Sequence, residues 1–151
     1  MNFLSRLVWQ FALVASLVGL TACGGGDDDQ VNYQTIAQGQ SAITSSRTVV
    51  VRDNTTWANL WAEHAPGVLV PGVNFSEKTV LAASGGSAGS GCSNLAITSI
   101  VREAQALQVR YTISSPPQAT GTTCGSTIAA STLVHIVMID RTELPVNFIR
   151  N

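Results

Sequence analysis

The stretch STLVHIVMI, residues 131–139, indicates how the chain folds. Its side chains are mostly apolar or β-branched, and a run of this length and composition is typical of a buried strand. We therefore predict a strand in this stretch and expect it to lie in the centre of a sheet.

Other segments with β-branched and apolar residues are separated by turn residues, so we predict shorter strands there. They cover residues 46–53, 78–84, 94–103, 106–114 and 144–149. The segments at residues 94–103 and 106–114 flank a short turn at Ala104-Gln105 and suggest a hairpin. The last contains Pro145, which cannot donate to a strand ladder, so we expect an edge strand.

One segment, DNTTWANLWAEH at residues 53–64, has a helical pattern. Its apolar face is formed by residues at i, i+3, i+4 and i+7, namely Trp57, Leu60, Trp61 and His64. Asp53, Asn54 or Thr55 can cap its start, and Pro66-Gly67 ends it. The predicted fold is mainly β (α+β), a small antiparallel sandwich or partly open barrel with one packed helix near residues 54–64.

The N-terminus has the pattern of a bacterial lipoprotein precursor. Arg6 precedes a short apolar run at residues 7–20, which ends in Leu20-Thr21-Ala22-Cys23. This tetrapeptide resembles a lipobox, and the resemblance implies that a signal peptide, residues 1–22, is removed and that Cys23 is lipidated. The run is too short to be a spanning helix.

The expected location is the cell envelope, with the protein anchored by lipid to the outer membrane and facing either the periplasm or the surface. Gly24 after the lipidated cysteine is not an obvious signal for retention in the inner membrane. Residues 23–30 contain GGGDDDQ and are predicted to be a flexible tether, followed by a single globular domain at residues 31–151.

Charge and composition exclude some functions. The chain has eight basic and nine acidic residues without a basic patch, so we expect no nucleic-acid partner.

With Cys23 acylated, Cys92 and Cys124 remain, and an exported protein meets an oxidising compartment. We predict a Cys92–Cys124 disulfide, worth roughly 3 to 4 kcal/mol; the alternative is two buried thiols. Two distant histidines give little support for zinc, and we expect no metal or cofactor.

The segment SGGSAGSGCSN, residues 84–94, contains a G-x-S-x-G pattern centred on Ser87. A hydrolase nucleophile would need a helix directly after this serine, but another strand is predicted there. A phosphate cradle would need a G-K-[ST] ending and a helix start. We therefore predict no catalytic residues and interpret the segment as a loop, which the disulfide would join to a second loop at residues 115–127.

The histidines and tryptophans have simple structural explanations. His64 lies near the end of the helix and is expected to cover Trp61. His135 alternates with apolar residues of the central strand and is expected to be a hydrogen-bonded core or edge histidine. Trp57 and Trp61 are expected to anchor the helix on the sheet; the alternative is a small-ligand pocket between helix and sheet, lined by both.

Several short motifs occur in the order seen in a known family. They are residues 39–43 (GQSAI), 49–53 (VVVRD), 57–64 (WANLWAEH), 71–76 (PGVNFS), 80–82 (VLA) and 144–148 (LPVNF). Together they resemble the C-terminal domain of protease complex subunit PrcB-type proteins over nearly all of the globular part. In this chain Ser90-Gly91-Cys92 replaces the threonine-glycine-glycine-aromatic turn of that family.

The resemblance implies a non-catalytic role, because the family's namesake is an accessory subunit associated with a surface protease. We therefore expect a membrane-anchored envelope protein that is not an enzyme and that binds another protein, either a protease or an envelope assembly. The candidate partner-binding residues lie in the two loops and are Gly85, Ser87, Ser90, Gly91 and Thr122. Such loops on a rigid sheet are common in binding proteins.

Overall fold

A computed structural model describes residues 29–87, 93–114 and 132–151 of the chain. These residues form seven strands and one helix. In chain order they are β1 (Gln34–Ser41), β2 (Arg47–Val51), α1 (Asn54–His64), β3 (Lys78–Ser87), β4 (Asn94–Arg102), β5 (Leu107–Ser114), β6 (Thr132–Asp140) and β7 (Val146–Arg150).

Strand β6 lies inside a four-stranded sheet with the order β1-β6-β3-β2, and all of its pairings are antiparallel. Seven of its nine residues, from Thr132 to Val137 and Ile139, are buried. The prediction of a central strand is therefore confirmed, because a continuous apolar run can be stable only where both faces of the strand are covered.

The second sheet has three strands in the order β4-β5-β7. Strands β4 and β5 form the predicted antiparallel hairpin, with Arg102 opposite Leu107 at its turn. Strand β7 lies at the edge, as Pro145 indicated, but it runs parallel to β5. The two sheets pack face to face, so the predicted mainly β fold with one helix is confirmed as a sandwich.

The core between the sheets is built from alternate residues of the strands. Leu133, Val137 and Ile139 of β6 face sheet two, where side chains from β4 and β5 meet them. These partners are Leu95, Ile97, Ile100, Leu107 and Val109. This alternation is the ordinary consequence of the two-residue period of a strand.

Helix α1 covers the outer face of the four-stranded sheet. Trp57, Leu60 and Trp61 pack against Val134 and Ile136, which are the β6 side chains on that face. The two faces of the central strand are thus covered by different elements, one by a second sheet and the other by the helix.

The ends of α1 follow the sequence signals. Asp53 is the N-cap residue, and its Oδ1 accepts a hydrogen bond of 2.8 Å from the Thr56 backbone N–H. This pairing lowers the pKa of the Asp53 carboxyl. The helix ends at His64, and Gly67 takes a φ of 80°, which glycine adopts at little cost.

Three features differ from the sequence interpretation. Residues 34–41 form strand β1, which the polar sequence QTIAQGQS did not reveal. Strand β3 continues to Ser87, so the first residues of the predicted glycine loop belong to a strand. At the N-terminus, Gln30 already forms a bridge with Val101, although residues 23–30 were predicted to be a tether.

Two leucines, one buried and one exposed, test whether packing between the sheets stabilises the fold. Leu81 is fully buried between the sheets, whereas Leu69 is 91% exposed. We expect Leu81→Ala to lower the free energy of unfolding by about 2–5 kcal/mol, because it leaves a cavity in a close-packed core. The matched control Leu69→Ala should change it by less than about 0.5 kcal/mol. Urea denaturation measures both, and equal effects would contradict the described packing.

Candidate functional site

The two segments predicted to form the binding loops both leave and rejoin the fold at one end of the sandwich. Residues 88–93 connect Ser87 of β3 to Asn94 of β4, and residues 115–131 connect Ser114 of β5 to Thr132 of β6. The strand register pairs Ser87 with Thr132 and Asn94 with Ser114. We refer to this end, defined by these four residues, as the loop end.

The N-terminal segment meets the sandwich at the opposite end. The Asp29 carbonyl accepts a hydrogen bond of 2.7 Å from the Arg102 backbone N–H, and the Val31 N–H donates to the Ile100 carbonyl at 2.8 Å. Strand β4 has nine residues, so Arg102 lies about 26 Å from Asn94 at a rise of roughly 3.3 Å per residue. The chain therefore joins the domain one strand length away from the loop end.

Of the candidate binding residues, the structure describes Gly85 and the backbone of Ser87. Gly85 lies in β3 opposite Leu133. A Cβ atom at Gly85 would come within 3.0 Å of Ser46 Oγ, so a side chain at this position would require the neighbouring segment to move. Gly85 thus serves a close approach between chain segments. Ser90, Gly91, Thr122, the proposed Cys92–Cys124 pair and the lipidation site Cys23 lie outside the described residues.

His135 is buried and links the two sheets. Its Nδ1 accepts a hydrogen bond of 2.8 Å from the backbone N–H of Ile97 in β4, and its Nε2 lies 2.9 Å from Thr35 Oγ1 in β1. The Ile97 carbonyl accepts a hydrogen bond of 2.8 Å from the Tyr33 hydroxyl. The β4–β5 register shifts directly after Ile97, and the side chains of His135 and Tyr33 pair with its backbone N–H and carbonyl.

These contacts require a neutral imidazole. Because Nδ1 accepts a hydrogen bond from the Ile97 N–H, it carries no hydrogen, and the ring hydrogen of His135 is on Nε2. Burial lowers the pKa of His135 from its ordinary value of 6.5. The structural role predicted for this histidine is thereby supported by partners on both ring nitrogens.

His64 ties the end of α1 to the end of β1. Its Nδ1 lies 2.9 Å from Ser41 Oγ, and its carbonyl accepts a hydrogen bond of 3.0 Å from the Ala42 N–H. Ser41 Oγ also accepts a hydrogen bond from the Ile43 N–H at 3.1 Å, and Ser41 is buried. The His64 ring stacks edge-on against Trp61, as predicted, and burial lowers the pKa of His64.

The side chains that could assist a hydrolase serine, His64, His135 and Asp140, all have other contacts. His135 is bonded to Thr35 and Ile97, His64 to Ser41, and Asp140 to the Lys78 ammonium at 2.7 Å. The Lys78 ammonium lowers the pKa of Asp140. These contacts give each of the three groups a structural role.

Trp57 and Trp61 are packed into the fold. They are 2% and 6% exposed, and their ring centroids lie 5.3 Å apart. The Trp57 indole N–H donates a hydrogen bond of 2.8 Å to the Pro71 carbonyl and so holds the segment that follows the helix. This packing favours the predicted role of both residues as anchors of the helix on the sheet.

A groove beside the helix was not recognised from the sequence. It lies between α1 and β2, encloses about 230 Å³ and is lined by Arg47, Val49, Thr56, Asn59, Leu60 and Glu63. The spacing of the last four residues, at i, i+3, i+4 and i+7, could have indicated a second helical stripe. Its partner strand could not be identified without the tertiary structure.

Within residues 29–87, 93–114 and 132–151, no group of three or more metal-binding side chains occurs. Among the same residues, α1 is neither long nor apolar enough to cross a bilayer. Comparisons with protein-family models, with curated proteins and with solved structures found no match for this chain.

The buried histidines predict a pH dependence of stability. Because the pKa of His135 and of His64 is lowered in the folded state, the unfolded chain takes up protons first as the pH falls below 6.5. The free energy of unfolding should therefore decrease from pH 6.5 downwards, until the folded-state pKa values are reached.

The variant His135→Asn isolates one of the two contributions, because an amide oxygen can accept from the Ile97 N–H but does not titrate. We expect a lower stability at pH 7.5 and a shallower decline below pH 6.5 than in the wild type. Urea denaturation across this pH range measures both quantities. An unchanged slope would show that His135 does not contribute.

Proposed function

We propose that the protein is a lipid-anchored, non-catalytic protein of the cell envelope that binds another protein through the loops at residues 84–93 and 115–127. The proposal combines the lipobox-like sequence ending at Cys23 with the resemblance to the C-terminal domain of PrcB-type proteins. A protease or an envelope assembly is the partner that this resemblance favours.

One structural observation carries the proposal: the chain joins the sandwich at Asp29, a strand length away from the loop end. A lipid on Cys23 would therefore hold the opposite end of the domain close to the membrane. Only residues 24–28 separate that cysteine from Asp29. In this arrangement the strand ends that carry the two loops lie away from the bilayer, on the side where a partner can approach.

The strand register also supports the proposed disulfide. Cys92 lies two residues before Asn94, which is paired with Ser114, and Cys124 lies between Ser114 and Thr132. The segments that carry the two cysteines thus start and end on neighbouring strands. A covalent bond between them would restrain both loops and reduce the entropy lost when a partner binds.

The disulfide is tested on the exported protein. Proteolysis under non-reducing conditions, followed by mass spectrometry, should yield a peptide pair joined through Cys92 and Cys124 that separates on reduction. In the double variant Cys92→Ala with Cys124→Ala, the free energy of unfolding should be lower by roughly 3 to 4 kcal/mol in the entropic model. Two alkylatable thiols in the exported wild type would contradict the bond.

The partner-binding role is tested by crosslinking in intact cells. A photoreactive amino acid at Ser90 should capture a discrete envelope protein, because this position lies in the proposed binding loop. The same group at Glu103, near the opposite end, is the matched control and should not capture it. The variant Cys23→Ser should reduce capture, because an unanchored domain is no longer held at the membrane.

Loss of capture in the combined variant Ser87→Ala, Ser90→Ala and Thr122→Ala would assign the contact to the loops. Equal capture from Ser90 and Glu103, or unchanged capture by the combined variant, would contradict the loops as the binding site. Hydrolysis of a substrate that depends on Ser87 would contradict the non-catalytic role.

A further inference from the structure

The groove between α1 and β2 is named here the β2–α1 groove. On one side it is bordered by a strand edge that pairs with no other strand among the described residues. In the order β1-β6-β3-β2, strand β2 is the last strand, and it pairs with β3 through Arg47–Val51. A strand edge of this kind presents free N–H and C=O groups that can pair with another chain.

The direction of these groups follows from one hydrogen bond. The Arg47 backbone N–H donates to Ser84 Oγ of β3 at 3.3 Å, so it points into the sheet. Because N–H directions alternate along an antiparallel strand, the N–H groups of Thr48 and Val50 point away from the sheet. These two residues therefore offer the backbone groups that an added strand would use.

The groove supplies a place for a side chain of such a strand. Val49 and Leu60 contribute its apolar surface, and Thr56 and Asn59 contribute polar groups on the helix side. A residue paired opposite Val49 would direct its side chain to the same face of the sheet as Val49, which is the face that α1 covers. The side chain would then enter the groove.

A second observation points to a missing acceptor. Arg47 Nη2 forms an ion pair with Glu63, but Arg47 Nε is buried and has no hydrogen-bond partner within residues 29–87, 93–114 and 132–151. A buried donor without an acceptor is unfavourable, because it loses its hydrogen bond to water and gains none in the fold. A carbonyl or carboxylate oxygen from a bound chain could satisfy it at the end of the groove where Arg47 lies.

From these features we infer that the β2–α1 groove binds an extended peptide segment of a protein partner, which pairs with β2 as an additional strand. An apolar side chain of the segment packs on Val49 and Leu60, and an oxygen of the segment accepts from Arg47 Nε. From Thr56 to Glu63 the helix rises about 10 Å, which matches about three residues of an extended chain.

This surface does not include the loops at residues 84–93 and 115–127, and the inference does not depend on them. Arg47 is paired with Ser84, so the groove opens towards the loop end. A partner held there by the loops could therefore extend a segment into the groove, although a segment could also bind the groove alone.

The test uses a library of random heptapeptides displayed on phage, selected against the chain from Cys23 onward in detergent micelles. Selected peptides are then synthesised and titrated into labelled protein. Strand addition predicts that the Thr48 and Val50 amides should exchange rapidly in the free protein and become protected by at least tenfold in the complex. Amides of β7, the edge strand of the other sheet, should not change.

Two variant pairs assign the site. Thr48 is exposed, and Thr48→Pro removes one outward N–H, whereas Thr48→Ala keeps it. Asn59→Trp fills the groove, whereas Ala58→Trp adds the same side chain at an exposed position on a different helix face. We expect Thr48→Pro and Asn59→Trp to weaken peptide binding at least tenfold and both controls to leave it unchanged.

Every outcome of this test decides the inference. Loss of binding in Asn59→Trp, together with protection of the two amides, supports it even if Thr48→Pro is too unstable to measure. Selected peptides that bind equally well to Asn59→Trp, or that leave the Thr48 and Val50 amides exchanging freely, would overturn it. Failure to select any binding heptapeptide would also overturn it.

Discussion

Strand β6 has to be covered on both faces, and the rest of the domain is arranged by this requirement. Its odd-numbered apolar side chains, such as Leu133 and Val137, pack against the second sheet, and its even-numbered ones, Val134 and Ile136, pack under α1. A single amphipathic layer would leave one of these faces in water. The second sheet and the helix therefore each bury one apolar face of β6.

His135 is the polar exception on this strand. It lies among the apolar residues that face the second sheet, yet both of its ring nitrogens have partners. A buried imidazole without partners would cost free energy, so the Ile97 backbone N–H and the Thr35 hydroxyl make its burial possible. The histidine in turn holds β4 at a defined position over β6, which general hydrophobic packing alone would not do.

The N-terminal segment and the two connections that carry the candidate loops lie at opposite ends of the domain. One end receives the N-terminal segment at Asp29, and the other carries the connections between β3 and β4 and between β5 and β6. The proposed function, with anchoring at one end and binding at the other, depends on this separation. The β2–α1 groove adds a lateral surface, because β2 is the last strand of its sheet in the part of the chain that the structure describes.

Local signals predicted much of this structure. The spacing of Trp57, Leu60 and Trp61 identified the helix and its buried face, and Asp53 was among its predicted caps. The run at residues 131–139 identified the central strand. Strand β1 was missed because QTIAQGQS lacks apolar alternation, and it is a strand because β6 offers an edge to pair with. Gly85 and Gly86 were predicted to lie in a loop, yet β3 continues through them because β6 is long enough to pair with β3 as far as Ser87.

The sequence by itself determined which segments are apolar, where the helix begins and ends, and which residues alternate along each strand, because these depend on neighbours a few positions away. Only the tertiary structure decided the strand order, the parallel pairing of β7, the partners of His135 and the groove beside Arg47. These features join residues far apart in the chain. Their geometry depends on which faces and edges meet in space, and no local pattern contains that information.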